Sequence, residues 1–598
     1  MIKVSDYIVR FFEEKGLTDM FMVSGGGCMH LVDSFGSSSK IKYWCTEHEQ
    51  AASMAAEAYA KQKNSIGLCL TTSGPGATNT VTGVLDCWQD STPVIFLSGQ
   101  AKTTQTTHNS GIPGLRQFGV QEADIVSIVK SITKFAVEIY EPLEIKKILE
   151  EAYWMATSGR PGPVWISVPL DVQSAKVEEN SLEGFKGHKE VIAPNQDDLK
   201  YVLDHLLLAK RPVIIAGHGV RLSASCELLE KFANEHDIPV VMPFMGIDVL
   251  ADDNKSCIGR IGTKGSRAGN FAMQNSDLLI SIGSRMSVSD TGYEFELFAR
   301  DAKVVVVDID ETEHKKKTIT IDRLVISDAK AFLEALNSQF NHNVRYTEWL
   351  EKCQHWKRKY PVVLPEYNDD SKGINYYKFI DLINKYSTET TPVVSDAGSA
   401  FYVTAQAISI KKDQRHITTG GTATMGFTLP AAIGVAIASP SSCVIGITGE
   451  GSFMQNMQEM ETVRFNNLNV KLFVVENNGY FSIHQTQNRF FNGHYVGSGI
   501  ESGISFTNLN KLAEAFNVEY YDLHSIADCD KYIPVILSSN NPALIRVNVT
   551  TEMSVIPTNS AKLLSNGKMR SMPLEDMYPF LDREEFNEEM IIEPVKEQ

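Results

Sequence analysis

Two glycine-rich segments in the last third of the chain could hold an anion and a cation together. Gly449-Glu450-Gly451-Ser452 follows the apolar run Cys443–Thr448, and twenty-seven residues after Glu450 the run Lys471–Val475 ends in Glu476-Asn477-Asn478-Gly479-Tyr480. Short apolar runs bounded by Gly and Asn read as buried strands, so two strand ends converge here. Mg²⁺ takes oxygen ligands octahedrally and bridges a few protein oxygens to phosphates. The Glu450 carboxylate, the Asn477 amide and the Gly479 carbonyl make such a set, with Asn478 as the alternative amide. Gly449, Gly451 and Ser452 would offer backbone N–H groups at a helix start, where anions are favoured. Either half alone is an ordinary turn; the pairing predicts a diphosphate and Mg²⁺ anchor.

The elements that position these residues read as repeated β-α units. At 598 residues, with 43% hydrophobic and 22% charged residues, the chain exceeds one compact core. Apolar runs such as Val94–Leu97 alternate with amphipathic, helix-length stretches, which predicts an α/β protein of three doubly wound, mostly parallel sheets. Composition shifts place the segments at 1–185, 186–345 and 365–550, with an irregular, acidic tail at 551–598 whose Glu584–Glu589 run reads as a solvated helical face. The net charge of −17 argues against a nucleic-acid partner. Nine scattered cysteines without a Cys-x-x-Cys pair read as free thiols in a reducing compartment. The charged opening Met1–Asp6 and the lack of any long apolar run predict a cytoplasmic protein with no membrane segment.

Further motifs extend the pattern along the chain: His48-Glu49-Gln50, Thr72-Ser73-Gly74-Pro75-Gly76-Ala77-Thr78-Asn79, Gly159–Val164 and Thr424-Met425-Gly426 through Gly434. Together with the metal motif they resemble the thiamine diphosphate enzymes, and among these the acetohydroxyacid (acetolactate) synthase group, over almost the whole chain. Glu450 stands where that family has Asp. The resemblance implies a pyrimidine-binding domain, a central domain and a diphosphate-binding domain in that order. It also implies a homodimer or homotetramer, with active sites between the first domain of one subunit and the third of another. It makes Glu49 the carboxylate that holds the aminopyrimidine ring in its imino form, and Met425 the apolar support that bends the cofactor. By the same resemblance Gly25, Gly26, Gly27, Ser73, Gly74, Asn79 and the catalytic Gln121 surround the pyrimidine and the reacting carbon. Gly398, Ser399 and Thr424 lie along the cofactor, the first two replacing the family's Gly-Gln.

The same family holds FAD in its central domain without net redox chemistry. The matching elements are Arg160, Gly217-His218-Gly219, Gly262-Thr263, Gly283-Ser284-Arg285, Asp308-Ile309-Asp310 and Asp328. The sequence departs from the family where the acceptor 2-keto acid is received. Ser289 replaces an Arg, Thr486 a Trp, Leu170 a Lys and Val120 a Phe. Losing a bidentate carboxylate partner and an aromatic wall disfavours a small keto acid. This departure resembles the branched-sugar synthases, relatives that add a pyruvate-derived two-carbon unit to the ketone of a nucleotide-linked sugar. The segment Met569–Met577 also resembles proteins of surface-polysaccharide pathways. The expected function is decarboxylation of a 2-keto acid, pyruvate, with carboligation to a carbonyl acceptor such as a nucleotide-linked keto-sugar. The alternatives are an authentic acetolactate synthase, a simple 2-keto acid decarboxylase and a catalytically silent thiamine-binding subunit. Glu49 and Met425 argue against the last of these.

Overall fold

The computed structural model describes residues 1–188, 191–563 and 569–595. It contains three six-stranded parallel sheets, one in each α/β segment. Their middle strands are apolar on both faces because helices cover both sides; every residue of Val94–Gln100, Val164–Pro169 and Leu278–Ile282 is buried. In the first sheet the spatial order is Lys42–Cys45, Asp19–Met22, Gly67–Thr71, Val94–Gln100, Val164–Pro169, Phe135–Glu138. In the third it is His416–Ile417, Val393–Ser395, Val444–Gly449, Val470–Glu476, Ala543–Asn548, Glu519–Leu523. Numbered within each segment, both orders are 2-1-3-4-6-5. The central sheet runs Cys257–Arg260, Val240–Met242, Pro212–Ala216, Leu278–Ile282, Lys303–Asp308, Arg323–Ile326, which is 3-2-1-4-5-6, the dinucleotide-binding order.

The first and third segments are joined by two helices that touch backbone to backbone. Helix Glu49–Lys63 buries every residue from Ala51 to Lys61, and Thr428–Ala438 is buried throughout. Small side chains permit this approach: a Cβ added at Gly434 would lie 2.1 Å from the Ala55 carbonyl oxygen. The His48 ring accepts from the Gln50 N–H at the first helix's start, and Asn64 closes its end with a φ of 49°. One apolar core therefore runs from Phe21 and Trp165 through both helices to Leu472 and Leu544.

A buried polar cluster ties helix Glu49–Lys63 to the loop before Met425. Lys61 Nζ lies 2.6 Å from Glu57 Oε1 and 2.8 Å from Asp90 Oδ2, and donates to the Thr418 carbonyl at 2.8 Å. Asp90 accepts from the Gly421 N–H at 2.8 Å, and Asp86 accepts from the Thr422 and Thr424 hydroxyls at 2.7 Å each. Burial pushes the Asp86 carboxyl up to about 6 against those two hydrogen bonds.

The tail is more regular than the expected irregular segment, while its acidic run is a helix with Glu584, Asn587 and Glu588 exposed, as a solvated face requires. It forms a hairpin, Ala561–Leu563 with Met569–Ser571, and a helix, Arg583–Glu589. Glu589 accepts from the Trp356 indole at 2.7 Å and pairs with Lys352 at 2.6 Å and Lys359 at 2.8 Å. Burial alone would raise its carboxyl, but the hydrogen bonds from Lys352, Lys359 and Trp356 hold it down at about 2. Glu585 and Glu589 of the acidic run are thus paired with lysines of helix Thr347–Lys359 in the same chain. Positions 564–568 and 596–598 of the tail lie outside the described residues. All nine cysteines are free thiols. Among the described residues no helix is long and apolar enough to cross a membrane.

Candidate functional site

In open parallel sheets a ligand crevice forms at the carboxyl ends of the strands where the strand order reverses. In the third domain that point lies between Val393–Ser395 and Val444–Gly449. The loop after the first of these strands begins with Asp396, fully buried, which accepts from Ala397 N at 2.7 Å, Thr448 Oγ1 at 3.1 Å, Thr428 N at 3.3 Å and the Ser452 hydroxyl. Ser452 Oγ in turn accepts from the Gly426 N–H at 2.7 Å. The loop carrying Met425 is therefore pinned to both strand ends. Sequence reasoning passed over Asp396; its signal was an acid directly after the strand Val393-Val394-Ser395 and two residues before Gly398.

Glu450 crosses from one strand end to the next. Its carboxylate accepts from Asn477 N at 3.0 Å and Gly479 N at 2.8 Å, and burial pushes it up to about 7 against those bonds. Asn477 is buried and its side-chain amide has no hydrogen-bond partner among the described residues, whereas Asn478 is exposed with a φ of 62°. The Gly479 carbonyl accepts from Phe481 N at 3.0 Å and keeps a second lone pair. Carboxylate, amide and carbonyl oxygens from two neighbouring strand ends fit a hard divalent cation such as Mg²⁺. A Cβ at Gly451 would lie 2.0 Å from the Tyr480 ring, so only glycine fits there. Gly449 is the N-cap of the short helix Glu450–Phe453, and Gly398 and Ser399 open helix Gly398–Ala407, whose first N–H groups have no intrahelical acceptor. The Thr424 hydroxyl, expected along the cofactor, bonds Asp86 instead, and the Ser452 hydroxyl bonds Asp396, which leaves Ser452 its backbone N–H.

The first domain repeats the geometry. Gly25, Gly26 and Gly27 follow strand Asp19–Met22, and Ser73 and Gly74 follow Gly67–Thr71, again where the order reverses. Gly74 has a φ of 56°, and a Cβ there would lie 2.3 Å from the Gln121 carbonyl oxygen, so the Gln121 loop rests on it. Glu49 Oε2 accepts from Asn79 Nδ2 at 2.9 Å. The expected pyrimidine set thus gathers at one end of the first sheet, half-exposed. Its neighbours Glu47 and Gln50 bond Glu459 at 3.1 Å and Asn456 at 3.2 Å. Among the described residues no hydrogen bond joins Glu49 to Met425, Glu450 or any other residue of the third domain.

The central sheet carries a cleft of about 910 Å³ lined by Arg160, Gly219, Gly283, Arg285, Asp308 and Asp328. Gly217 lies behind it: a Cβ there would meet the Gly283 carbonyl oxygen at 2.2 Å, so these glycines let two strand ends touch. The Arg160 guanidinium bonds Ser91 at 2.8 Å, Asp310 at 3.1 Å and Glu313 at 2.6 Å. Arg285 donates to Gln89 Oε1 at 3.2 Å, Asp308 accepts from Asp310 N at 2.9 Å, and Asp328 caps helix Ala329–Gln339. His218 lines the cleft with both ring nitrogens buried and unpartnered, and burial pulls it down to about 4, leaving it neutral. Size, strand order and an orphaned histidine all suit a dinucleotide.

A second cavity of about 1090 Å³ opens beside Asn477 and Asn478, between helix Phe481–Phe491, the turn Ile500–Ser502, residues 551–560, Lys264 and Tyr578. The substituted acceptor positions offer no cation. The Thr486 hydroxyl bonds the Ser482 carbonyl at 3.0 Å, and that of Ser289 bonds Ser287 at 2.6 Å. Leu170 opens the short helix Leu170–Ser174, and Val120 is 86% exposed.

Two sheets of one topology, each with glycines and a carboxylate at its reversal point, and one dinucleotide-type sheet between them define a cofactor-dependent α/β enzyme. Models of the thiamine pyrophosphate (thiamine diphosphate) enzymes match the chain in three pieces: the N-terminal TPP binding domain at residues 2–128, the central domain at 199–336 and the C-terminal TPP binding domain at 396–547. The chain is 31% identical to the acetolactate synthase large subunit of Lactococcus lactis, over 94% of this chain and 95% of that protein. It is 32% identical to the chloroplastic acetolactate synthase 2 of Nicotiana tabacum, over 93% and 83%, and 31% identical to the acetolactate synthase isozyme 1 large subunit of Escherichia coli, over 92% and 95%. The chain belongs to the thiamine pyrophosphate enzymes. Within them it is an acetolactate synthase-like carboligase and decarboxylase.

Proposed function

We propose that the enzyme decarboxylates pyruvate and joins the resulting two-carbon unit to a carbonyl acceptor larger than a second keto acid, a keto-sugar carried on a nucleotide. When bound, thiamine diphosphate supplies a nucleophilic carbon and an electron sink for the decarboxylation. Glu49, fixed through Oε2 by Asn79, keeps Oε1 to hydrogen-bond the aminopyrimidine ring and favour its imino form. Met425, on its pinned loop, is the apolar support beneath the cofactor. Gly25, Gly26, Ser73, Gly74 and Gln121 enclose the pyrimidine side. Glu450, Asn477 and the Gly479 carbonyl hold Mg²⁺, and backbone N–H groups of Gly398, Ser399, Gly451 and Ser452 take the diphosphate.

Residues 1–185 serve as the pyrimidine-binding domain, 186–345 as the central domain and 365–550 as the diphosphate-binding domain. Glu49 lacks a partner in the third domain of its own chain, and the face around Gln121 exposes Phe118 and Val120. These features support a homodimer, or a tetramer of two such dimers, in which a second copy completes each site. The central cleft holds FAD in a structural role, with Arg160, Gly219, Arg285, Asp308 and Asp328 around it. Flavin released on denaturation is the expected result, and protein that is active yet free of flavin would overturn this assignment. Nine free thiols support a cytoplasmic location.

The observation that carries the acceptor reading is the 1090 Å³ cavity beside Asn477 and Asn478, walled by the helix Phe481–Phe491 that carries Thr486. A second reading, an authentic acetolactate synthase, is favoured by 31% identity across nearly the full length of a protein of that name. Mass spectrometry of products from pyruvate, with and without nucleotide-linked keto-sugars, separates the two. Slow CO₂ release accelerated by a keto-sugar is expected; fast acetolactate formation from pyruvate alone would establish the second reading.

A further inference from the structure

The second cavity contains two cations that no carboxylate neutralises. Lys264 follows strand Cys257–Arg260 of the central domain, Arg489 lies on helix Phe481–Phe491 of the third, and both line the same 1090 Å³ space. Among the described residues neither forms an ion pair. Lys264 Nζ sits 5.5 Å from the Tyr402 ring centroid, and Arg489 Nη2 donates only to Ser560 Oγ, at 3.0 Å. Other cations nearby are matched: Lys372 meets Glu552 at 2.6 Å, Arg260 bonds Asp252, and Arg570 faces Glu294 and Glu296. Of the cavity's carboxylates, Glu552 is thereby occupied and Glu501 pairs with neither cation. Burial, and then repulsion from Arg489, lower the Lys264 ammonium. Lys264 is half-buried and Arg489 exposed, so an anion entering the cavity meets one partly desolvated and one solvated cation, neither already taken by a carboxylate.

We propose that Lys264 and Arg489 form the subsite for the phosphate or diphosphate group of the acceptor, an inference that rests on the nucleotide-linked acceptor reading above. A guanidinium fork and an ammonium on two different domains suit a phosphate bridged between them. Asn488, Ser554 and Ser560 line the same space and supply neutral donors. Asn477 and Asn478 are part of the same wall, so an acceptor held by its phosphate can extend its carbonyl toward the metal end. This placement also accounts for the missing Arg at Ser289: the acceptor's charge has moved from its reacting end to its carrier end.

The test uses enzyme saturated with thiamine diphosphate and Mg²⁺, titrated calorimetrically at fixed salt with ADP, CDP, GDP, UDP, dTDP and inorganic pyrophosphate. The expected result is that at least one nucleoside diphosphate binds, and that Lys264→Met and Arg489→Met each weaken it about ten-fold or more. Arg489→Lys should recover part of the loss, and thiamine diphosphate affinity should be the same in every folded variant, as checked by circular dichroism. Because Arg489 is exposed, its variants test the subsite even if Lys264→Met fails to fold. The proposal is overturned if no nucleoside diphosphate binds, if both variants bind as the unaltered enzyme does, or if thiamine diphosphate affinity falls instead. Pyrophosphate binding as tightly as every nucleotide would overturn the nucleotide-borne source. Rapid acetolactate formation from pyruvate alone would sink the acceptor reading whatever the titrations show, whereas keto-sugar turnover unaffected by both variants would sink only the subsite.

Discussion

The third-domain strand ends and the central cleft are both glycine-rich crevices at a reversal of strand order, yet their electrostatics are opposite. At the third-domain site, Glu450 is a buried carboxylate without a cation, pushed up to about 7 and braced only by backbone N–H groups. In the central cleft one cation is already paired, while Arg285 donates only to Gln89. Arg160 is engaged by Asp310 and Glu313, and although burial would raise it, the Glu313 carboxyl is held down at about 2 by Lys316 and Arg160. A buried acid braced only by backbone N–H groups suits a neighbouring cation, whereas the paired Arg160 is already satisfied before any ligand enters the central cleft. Similar Gly-x-Gly spellings therefore serve two kinds of site, and the neighbouring charges tell them apart.

The largest effect should come from the residue that acts on chemistry alone. Glu49→Gln is expected to lower CO₂ release from pyruvate by about 10²–10⁴-fold, with thiamine diphosphate and flavin contents unchanged; a fall in either content would mean that Glu49 is structural. Glu450→Ala breaks the comparison from the third-domain side. It should weaken Mg²⁺ by at least about 10–100-fold, the range seen for outer partners of a metal, and leave flavin in place. Unchanged Mg²⁺ dependence would remove Glu450 from the metal site.

Gly283→Ala breaks it from the other side. Gly283 has a φ of 60°, and an added Cβ would lie 2.7 Å from the Gly219 Cα. Strain and overpacking together should cost about 2–4 kcal/mol, seen as flavin lost from protein that still binds thiamine diphosphate. Simultaneous loss of both cofactors would show that the two regions are not separable.

The smallest effect concerns their shared wall. Gly421 and Thr422 line the central cleft while Thr424 precedes Met425, and Asp86 and Asp90 hold all three. The folded Asp86 carboxyl sits at about 6, above its unfolded 3.8. Its contribution to stability is therefore complete below the unfolded value and is lost as pH rises through the folded one. Relative to Asp86→Asn, the unaltered protein should lose stability between those two pH values, by at most about 3 kcal/mol, and then level off. Denaturant unfolding across that window with no pH trend would show that the carboxyl is already ionised.

Much of this was legible from the sequence for a local reason. Strand ends announce themselves as apolar runs broken by Gly and Asn, so the residues around Glu450 and Asn477 are visible as types at spacings, whereas Glu49 and Gly25–Gly27 stand out only through the resemblance to the thiamine diphosphate enzymes. Asp396 was not visible, because its importance comes from the groups that converge on it from positions 426 to 452. The buried anchor Glu589 is not visible within the otherwise solvated acidic run because its partners, Lys352, Trp356 and Lys359, lie more than two hundred residues away.

By itself the sequence determined the α/β class, the order of the three segments and the identity of the side chains at each strand end, since all of these follow from local periodicity and turn chemistry. Only the tertiary structure decided that the first and third sheets share one strand order and the central sheet has another, that Asn477 rather than Asn478 is buried beside Glu450, and that Lys264 and Arg489 line one cavity. Those outcomes depend on packing between residues far apart in the chain, where burial sets the strength of each charge and local pattern carries no record of the partner.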